Sequence, residues 1–253
     1  MESQSRSSTG PAREWVVYDE YSPCPYLPGQ IARMPLRLPV RPLSRTALAQ
    51  RLEAGDRRQG ALLYRPRCPG CQACQAIRLP VSEFRPNRTQ RRIFRRGSAL
   101  LETRIGPPRA DFERVRLYNR HKVERRLLTT DGLIDRQLYE EFLVDTCAET
   151  FELSYWLDGR LVGVAITDRA EDSLSAVYCY YDPSLARLSI GTYSILKQLE
   201  LCRTWGLAYL YLGLYVEGCA TMAYKARFFP HERLIHGRWR RFSGPDEPDR
   251  SVC

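Results

Sequence analysis

The chain is 253 residues long and weighs 29.3 kDa, enough for one large or two modest domains, each with a core of its own. Its hydrophobic fraction of 43% is that of a globular protein. No stretch approaches the roughly 18 uncharged apolar residues of a membrane span, and the polar start MESQSRSSTGPAREW does not read as a secretory signal. A cytoplasmic protein with no membrane partner is therefore expected. A net charge of +10 and a pI near 9.3 favour a polyanionic partner. Lysine occurs only at Lys122, Lys197 and Lys225; arginine, which holds phosphate in a planar fork and stacks on bases, supplies the rest. A GC-rich genome also raises arginine over lysine, but it does not explain the net charge.

In chain order, residues 1–13 are rich in Ser and Arg, lack periodic apolar residues and read as disordered. The prolines of Tyr18 to Gly29 imply a rigid loop around Cys24. Met34 to Val40 alternates like a short strand. Ser44 is an N-cap for the helix SRTALAQRLEAGD, with Gly55 beyond its end. Ala61 to Tyr64 and Ala76 to Val81 are strands on either side of YRPRCPGCQACQAIR, in which Cys68, Cys71 and Cys74 stand three residues apart on a turn-rich loop. Sulfurs gathered this way suit zinc or an iron–sulfur cluster. Cys24 either completes a four-thiolate set with them or is an ordinary packed cysteine. A reducing compartment makes metal or catalytic roles more natural than disulfides, while Cys147, Cys179, Cys202 and Cys219, in apolar or mixed stretches, read as small buried hydrophobes.

Phe84 to Arg96 holds six arginines in thirteen residues, with two phenylalanines and almost no acids. It fits a phosphate-tracking surface with stacking platforms; the competing reading is a solvated basic helix face. Pro107-Pro108 reads as a linker. Helices are expected from about Asp111 to His121 and Ile134 to Leu143. Phe151 to Leu157, the turn Asp158-Gly159 and Leu161 to Thr167 form a hairpin. A third strand runs from Leu174 to Tyr181, a helix from about Ile190 to Trp205, and a short strand from Leu207 to Leu212. Gly218 to Pro230 reads as a helical turn with Lys225 near its end and Phe228 and Phe229 in the core. Residues 243–253 read as a polar tail.

No phosphate-binding Gly-rich loop, dinucleotide fingerprint, nucleophile elbow or His-Glu-x-x-His helix occurs. With three histidines, His121, His231 and His236, a His-based triad has little support. Strand, Tyr-Asp-Pro, loop and then a helix opening at Ser189-Ile190-Gly191-Thr192 resembles the acyl-transfer folds related to the acetyl-CoA-dependent N-acetyltransferases. A helix N-terminus beside a strand end collects free N–H groups and suits anions. The N-acetyltransferases place Arg-x-x-Gly-x-Gly/Ala here for the CoA pyrophosphate; this chain has Arg187-Leu188-Ser189-Ile190-Gly191, so neither CoA nor a nucleotide cofactor is expected. The fold class is α+β: a cysteine-containing N-terminal domain over 14–106, then an N-acetyltransferase-like mixed sheet with helices over 107–242.

Several motifs together carry a closer resemblance: Cys24-Pro25-Tyr26-Leu27-Pro28, the three-cysteine run, the Arg-Gln-Arg-Arg stretch, Tyr180-Tyr181-Asp182-Pro183, SIGTYSILKQLELCRTWGLAYLYLG and MAYKARFFP. In this order, over roughly residues 15–240, they resemble the aminoacyl-tRNA–protein transferases, and the single Cys24 and the length are similar to the short bacterial form. The resemblance implies transfer of an amino acid from aminoacyl-tRNA to the α-amine of proteins beginning with Asp or Glu. Leucyl-tRNA is the implied donor and arginyl-tRNA the alternative; the transfer tags its acceptors for N-degron degradation. Under this reading Arg88, Arg91 and Arg92 contact the tRNA. Lys225, and after it Arg78, meets the acceptor carboxylate. Tyr180 and Asp182 stand where carbonyl and amine meet, Ser189 and Tyr224 contact substrate, and Cys24, Cys68, Cys71 and Cys74 hold zinc or an iron–sulfur cluster. Two rivals are an acetyl-CoA-dependent enzyme on the same fold and a non-enzymatic tRNA-binding module with a metal knuckle.

Overall fold

The computed structural model describes residues 13–128 and 132–244; the expectations for residues 1–12 and 245–253 lie outside the described residues. Fourteen strands and six α-helices follow in chain order among the described residues. Strand β1 (Glu14–Tyr18) comes first. Strands β2 (Tyr21–Pro23) and β3 (Ile31–Arg33) make a small hairpin where a plain loop is expected, because the Cys24 N–H reaches the Gln30 carbonyl and lets the proline-rich tip close between them. Strand β4 (Leu36–Pro39) leads to helix α1 (Arg45–Glu53), which Ser44 caps by accepting from the Ala47 N–H. Gly55 follows with φ 92°, a left-handed exit that favours glycine. Strands β5 (Arg57–Gln59), β6 (Leu62–Tyr64) and β7 (Cys74–Pro80) come next.

Helix α2 (Arg88–Leu100) opens with a capping box between Asn87 and Gln90. After β8 (Glu102–Gly106), helix α3 (Phe112–Glu124) is capped by Asp111. Helix α4 (Arg136–Tyr139) runs into a wider π-turn at Glu140–Val144. Strands β9 (Thr150–Leu157), β10 (Arg160–Arg169) and β11 (Ser173–Tyr181) precede helix α5 (Ile190–Thr204). Strand β12 (Tyr209–Val216), helix α6 (Ala220–Ala223) with a 3₁₀ turn at Tyr224–Arg227, and strands β13 (His231–Ile235) and β14 (Arg238–Phe242) close the order.

The fold is α+β. An eight-stranded sheet has the order β14-β13-β7-β12-β11-β10-β9-β8, and a four-stranded sheet the order β1-β4-β6-β5. Strands β7 and β8, which precede the expected boundary at 106/107, lie in the eight-stranded sheet. Alternating side chains explain why: Ile77 and Leu79 of β7 are fully buried against the α5 side, in one cluster with Leu196, Leu199 and Leu210. Helices α2 and α5 cover that face; a Cβ on Gly97 would come within 2.2 Å of the Tyr193 ring, so glycine sets their closeness. On the other face, Leu48, Leu52 and Leu63 of α1 and β6 pack on Tyr211, and Tyr118, Tyr139 and Leu143 pack on Tyr180. Cys147 and Cys202 are buried as expected, whereas Cys179 and Cys219 are half-buried.

Candidate functional site

Strands β11 and β12 are the parallel pair of the large sheet, joined through α5. Their register runs Ser173–Tyr209, Leu174–Leu210 and Ser175–Tyr211, and stops there. Strand β11 continues to Tyr181, while β12 continues to Val216 paired to β7 on its far side. The strands therefore splay after Tyr211. Gly213, with φ 81°, sits at the bulge where β12 turns away. A splay at a parallel pair places carbonyl and amide groups beside a crossover helix, and such topological breaks are where α/β folds put their ligands.

Lys225 stands on the β12 side of this opening. Its Nζ donates to the Leu214 carbonyl at 2.6 Å and lies 3.1 Å from Met222 Sδ. The Gly213 backbone passes beside the ammonium: a Cβ there would stand in ordinary contact with Nζ, at 3.7 Å, and it is the left-handed φ that calls for glycine. Burial, and after it the charge of Arg57, draws Lys225 down to about 7. Tyr224, next in the turn, is 39% exposed and lies within electrostatic reach of Cys179, Tyr181 and Arg125. The Tyr181 hydroxyl accepts from Arg125.

Three of the expected site residues are buried and engaged in the structure. Tyr180 points into the aromatic core, 0% exposed, with its hydroxyl on that of Tyr139; alternation along β11 sends Tyr181, not Tyr180, towards the α5 side of the strand end. Tyr180→Phe is expected to leave the Tyr139 hydroxyl unpaired, lowering stability by about 1–3 kcal/mol, with no change in the pH profile of activity; thermal melts and initial rates check both. Arg78 is likewise consumed. Its guanidinium meets Glu53, Glu232 and the Tyr211 hydroxyl and is clamped between Tyr209 at 3.9 Å and Trp239 at 4.0 Å. Asp182, also fully buried, accepts from Arg120 at 3.0 Å, Arg160 at 2.8 Å and Ser184. Burial opposes its charge, but the hydrogen bonds from Ser184 and Arg160 prevail and hold it below the usual carboxylate range. It is an anchored anion that fixes the end of β11 and does not exchange protons near neutrality. Ser189 opens α5 at φ 51° and does not cap it; its hydroxyl leans on the Ala186 carbonyl at 3.5 Å.

On α2, Arg88, Arg91, Arg92 and Arg95 recur at helical spacing along one exposed face and line a shallow depression. No ion pair engages any of them among the described residues, and Arg91 reaches only the Pro86 carbonyl. The two phenylalanines of this stretch are not stacking platforms: Phe84 is buried and Phe94 packs half-buried against the same core, because a helix lying on the sheet turns its apolar side inward.

Cys24, Cys68, Cys71 and Cys74 line one cavity of about 690 Å³. The Leu27 and Arg33 N–H groups donate to the Cys24 and Cys68 sulfurs, each at 3.4 Å. Burial foremost, then the neighbouring Cys68, Cys24 and Cys71 sulfurs, pushes the Cys74 thiol up to about 12. Four soft donors with N–H support fit a thiophilic ion or cluster in chemistry. Among the described residues, no set of three or more stands at ligand geometry.

Nothing in the sequence singles out Arg57. Arg57 sits in the short run Arg57-Arg58-Gln59 with no periodic signal, and only the folding of the small sheet onto the large one brings it over Tyr211, 5.4 Å from the ring centre.

A mixed sheet that opens at its parallel pair beside a crossover helix matches the layout expected from the sequence for an acyl-transfer fold. Comparison with known proteins narrows that class. The family models described as "Arginine-tRNA-protein transferase, N terminus" and "Arginine-tRNA-protein transferase, C terminus" match residues 22–92 and 113–235. A Chromobacterium violaceum protein named aspartate/glutamate leucyltransferase is 40% identical over 218 residues, 86% of this chain and 90% of that protein. One of the same name from Gluconacetobacter diazotrophicus is 37% identical over 247 residues, 96% of this chain and 95% of its own length. Among solved structures, FemX superposes over 72% of this chain and 63% of its own, with a TM-score of 0.44 at 10% identity, a likeness in outline alone. The chain belongs to the arginine-tRNA–protein transferase family and is an aminoacyltransferase. That membership sets aside the non-enzymatic rival. No helix of the described residues is long and apolar enough to cross a membrane.

Proposed function

We propose that this aminoacyltransferase moves leucine from leucyl-tRNA to the α-amine of proteins that begin with Asp or Glu, in the cytoplasm, and so marks them for degradation. The observation that carries this reading is the likeness to the aspartate/glutamate leucyltransferases along 86% and 96% of the chain. The unbalanced arginine face of α2 supports a tRNA donor. In the reaction the α-amine attacks the ester carbonyl, the new C–N bond forms, the ester C–O bond breaks, and the ribose oxygen leaves with a proton. The attacking amine must first be neutral. Lys225 is the candidate to take its proton, since an amine titrating near 7 is partly neutral at working pH. No covalent enzyme intermediate is required, because the ester is already activated.

Parallel assays with labelled leucyl-tRNA and arginyl-tRNA, offered with peptides beginning with Asp, Glu or Ala, test the reading. Transfer of leucine to Asp and Glu alone supports it. The family's name, arginine-tRNA–protein transferase, makes arginyl-tRNA the second reading, and transfer of arginine would replace the donor while keeping the enzyme class. Transfer to Ala at the same rate would remove the acceptor assignment.

For the cysteine cavity, the proposed occupant is zinc or an iron–sulfur cluster held by Cys24, Cys68, Cys71 and Cys74. When bound it would tie the β2–β3 hairpin tip to the loop before β7, and no step of transfer runs through it. Metal-held thiolate sites contribute about 10–16 kcal/mol in small zinc domains. Cys71→Ala is expected to lose most of the bound metal and to lower the melting temperature by several degrees; elemental analysis and thermal melts check it. Unchanged metal content would remove the proposal.

A further inference from the structure

Arg57 is a buried cation with half of its guanidinium unused. The residue is 4% exposed. Nη1 donates to the carbonyl of Asp56, while Nε and Nη2 are buried with no hydrogen-bond partner among the described residues. Its sequence neighbour Asp56 is already engaged by Arg37 at 2.6 Å, Arg65 at 2.9 Å and Arg51 at 3.8 Å. The other groups around Arg57 are Tyr64 and Tyr211, and Tyr64 in turn bonds Tyr26. Leaving two charged N–H groups dry and unpaired is among the more unfavourable arrangements a fold can hold. Burial pulls the guanidinium down to about 10, so it stays charged at neutral pH.

Its position gives that arrangement a use. Tyr211, under the Arg57 guanidinium, is the last β12 residue paired to β11. Arg57 therefore stands at the apex of the splay, and Lys225 stands on the same opening at Gly213 and Leu214. The two basic side chains lie close enough for Arg57 to depress the charging of Lys225, and the ion pairs of the described residues put no carboxylate on either. A site of this kind is complete only with an anion brought from outside, and a guanidinium edge offering two parallel N–H groups matches a carboxylate.

We propose that the Nε and Nη2 edge of Arg57 receives the side-chain carboxylate of the acceptor's first residue, making Arg57 the specificity-determining residue for Asp and Glu. The inference rests on the acceptor class given under the proposed function. It also divides the work of the opening: Arg57 holds the side-chain carboxylate, and Lys225 faces the α-amine one or two carbons away. Asn and Gln present a neutral amide to the same edge and lose the charge-assisted pair, while Ala leaves the edge dry as in the free protein.

The test uses the full chain, leucyl-tRNA and two peptides that differ only in beginning with Asp or Asn, under single-turnover conditions with wild type, Arg57→Met and Arg57→Lys. The wild type is expected to prefer Asp, and Arg57→Met to reduce the ratio of kcat/KM for Asp over Asn by about 30-fold or more. Arg57→Lys keeps the charge without the fork and is expected to fall between the two. If Arg57→Met does not fold, Arg57→Lys decides: an Asp-over-Asn ratio equal to that of wild type overturns the assignment. Equal ratios in all three proteins, with wild type active on Asp peptides, overturn Arg57 alone and leave the function standing. A wild type that transfers neither leucine nor arginine to Asp peptides removes the functional reading and this inference with it.

Discussion

Lys225→Met is expected to give a protein that melts higher than wild type at pH 6 and transfers leucine about 100- to 10,000-fold more slowly. Both effects come from one cause. Burial draws the Lys225 ammonium from its ordinary 10.5 down to about 7 in the fold. Between those two values the unfolded chain holds the extra proton, so stability rises with pH across that window. Below about 7 both states are protonated and the full penalty of burying the charge is present; above about 10.5 it is gone. The penalty is worth at most about 5 kcal/mol, partly offset by the bond from Nζ to Leu214. Methionine, similar in length and uncharged, relieves the penalty and leaves the Leu214 carbonyl without its donor. The net gain is expected to be about 1–3 kcal/mol at pH 6 and to shrink as pH rises towards 10. In wild type the rate should climb through about pH 7 as Nζ loses its proton, then level off. The variant's residual rate should lack that step. A rate that instead falls above pH 7 would assign Lys225 to the binding of a negative charge. Thermal melts at pH 6 and 9.5 and single-turnover rates between pH 6 and 8.5 measure the two halves separately.

The second large effect is on the donor. Arg88→Gln, Arg91→Gln and Arg92→Gln combined should weaken tRNA binding about 100-fold at 0.15 M salt and lower the salt slope by about 2–3, since each lost phosphate contact removes about 0.7–0.9 from it. Stability should hardly change, because these side chains lie on the exposed face of α2 and carry no ion pair among the described residues. The fall should be the same for charged and uncharged tRNA, as expected of contacts to the phosphate backbone. Titrations at several salt concentrations, with Arg240→Gln as a control at an exposed arginine of β14, check it. An unchanged slope would move the tRNA to another face.

The two effects differ in how plainly the chain announces them. The arginines of α2 recur at positions 88, 91, 92 and 95, and steps of three and four residues are enough to put them on one face of any helix formed there. The phenylalanines between them mislead, because the same periodicity turns Phe94 into the core. On β11 the parity is what fails: Tyr180 and Tyr181 are adjacent, and a strand sends neighbours to opposite faces. Arg78 is unreadable for another reason. Its partners Glu53, Tyr211, Glu232 and Trp239 come from four separate segments, and only their assembly shows that its charge is already matched.

By itself the sequence determined the family, the alternation of strands and helices from Phe151 onwards, and the concentration of arginine without acids on one stretch. These are written in local order, as motifs, periods and turn residues. The tertiary structure alone decided that β7 and β8 join the large sheet, that Tyr180 is core and Arg78 is spent, and that Arg57 and Lys225 come within electrostatic reach of each other with no ion pair among the described residues. Such facts depend on which distant segments exclude water from one another, and the cost of a buried, unpaired charge appears only once that exclusion is complete.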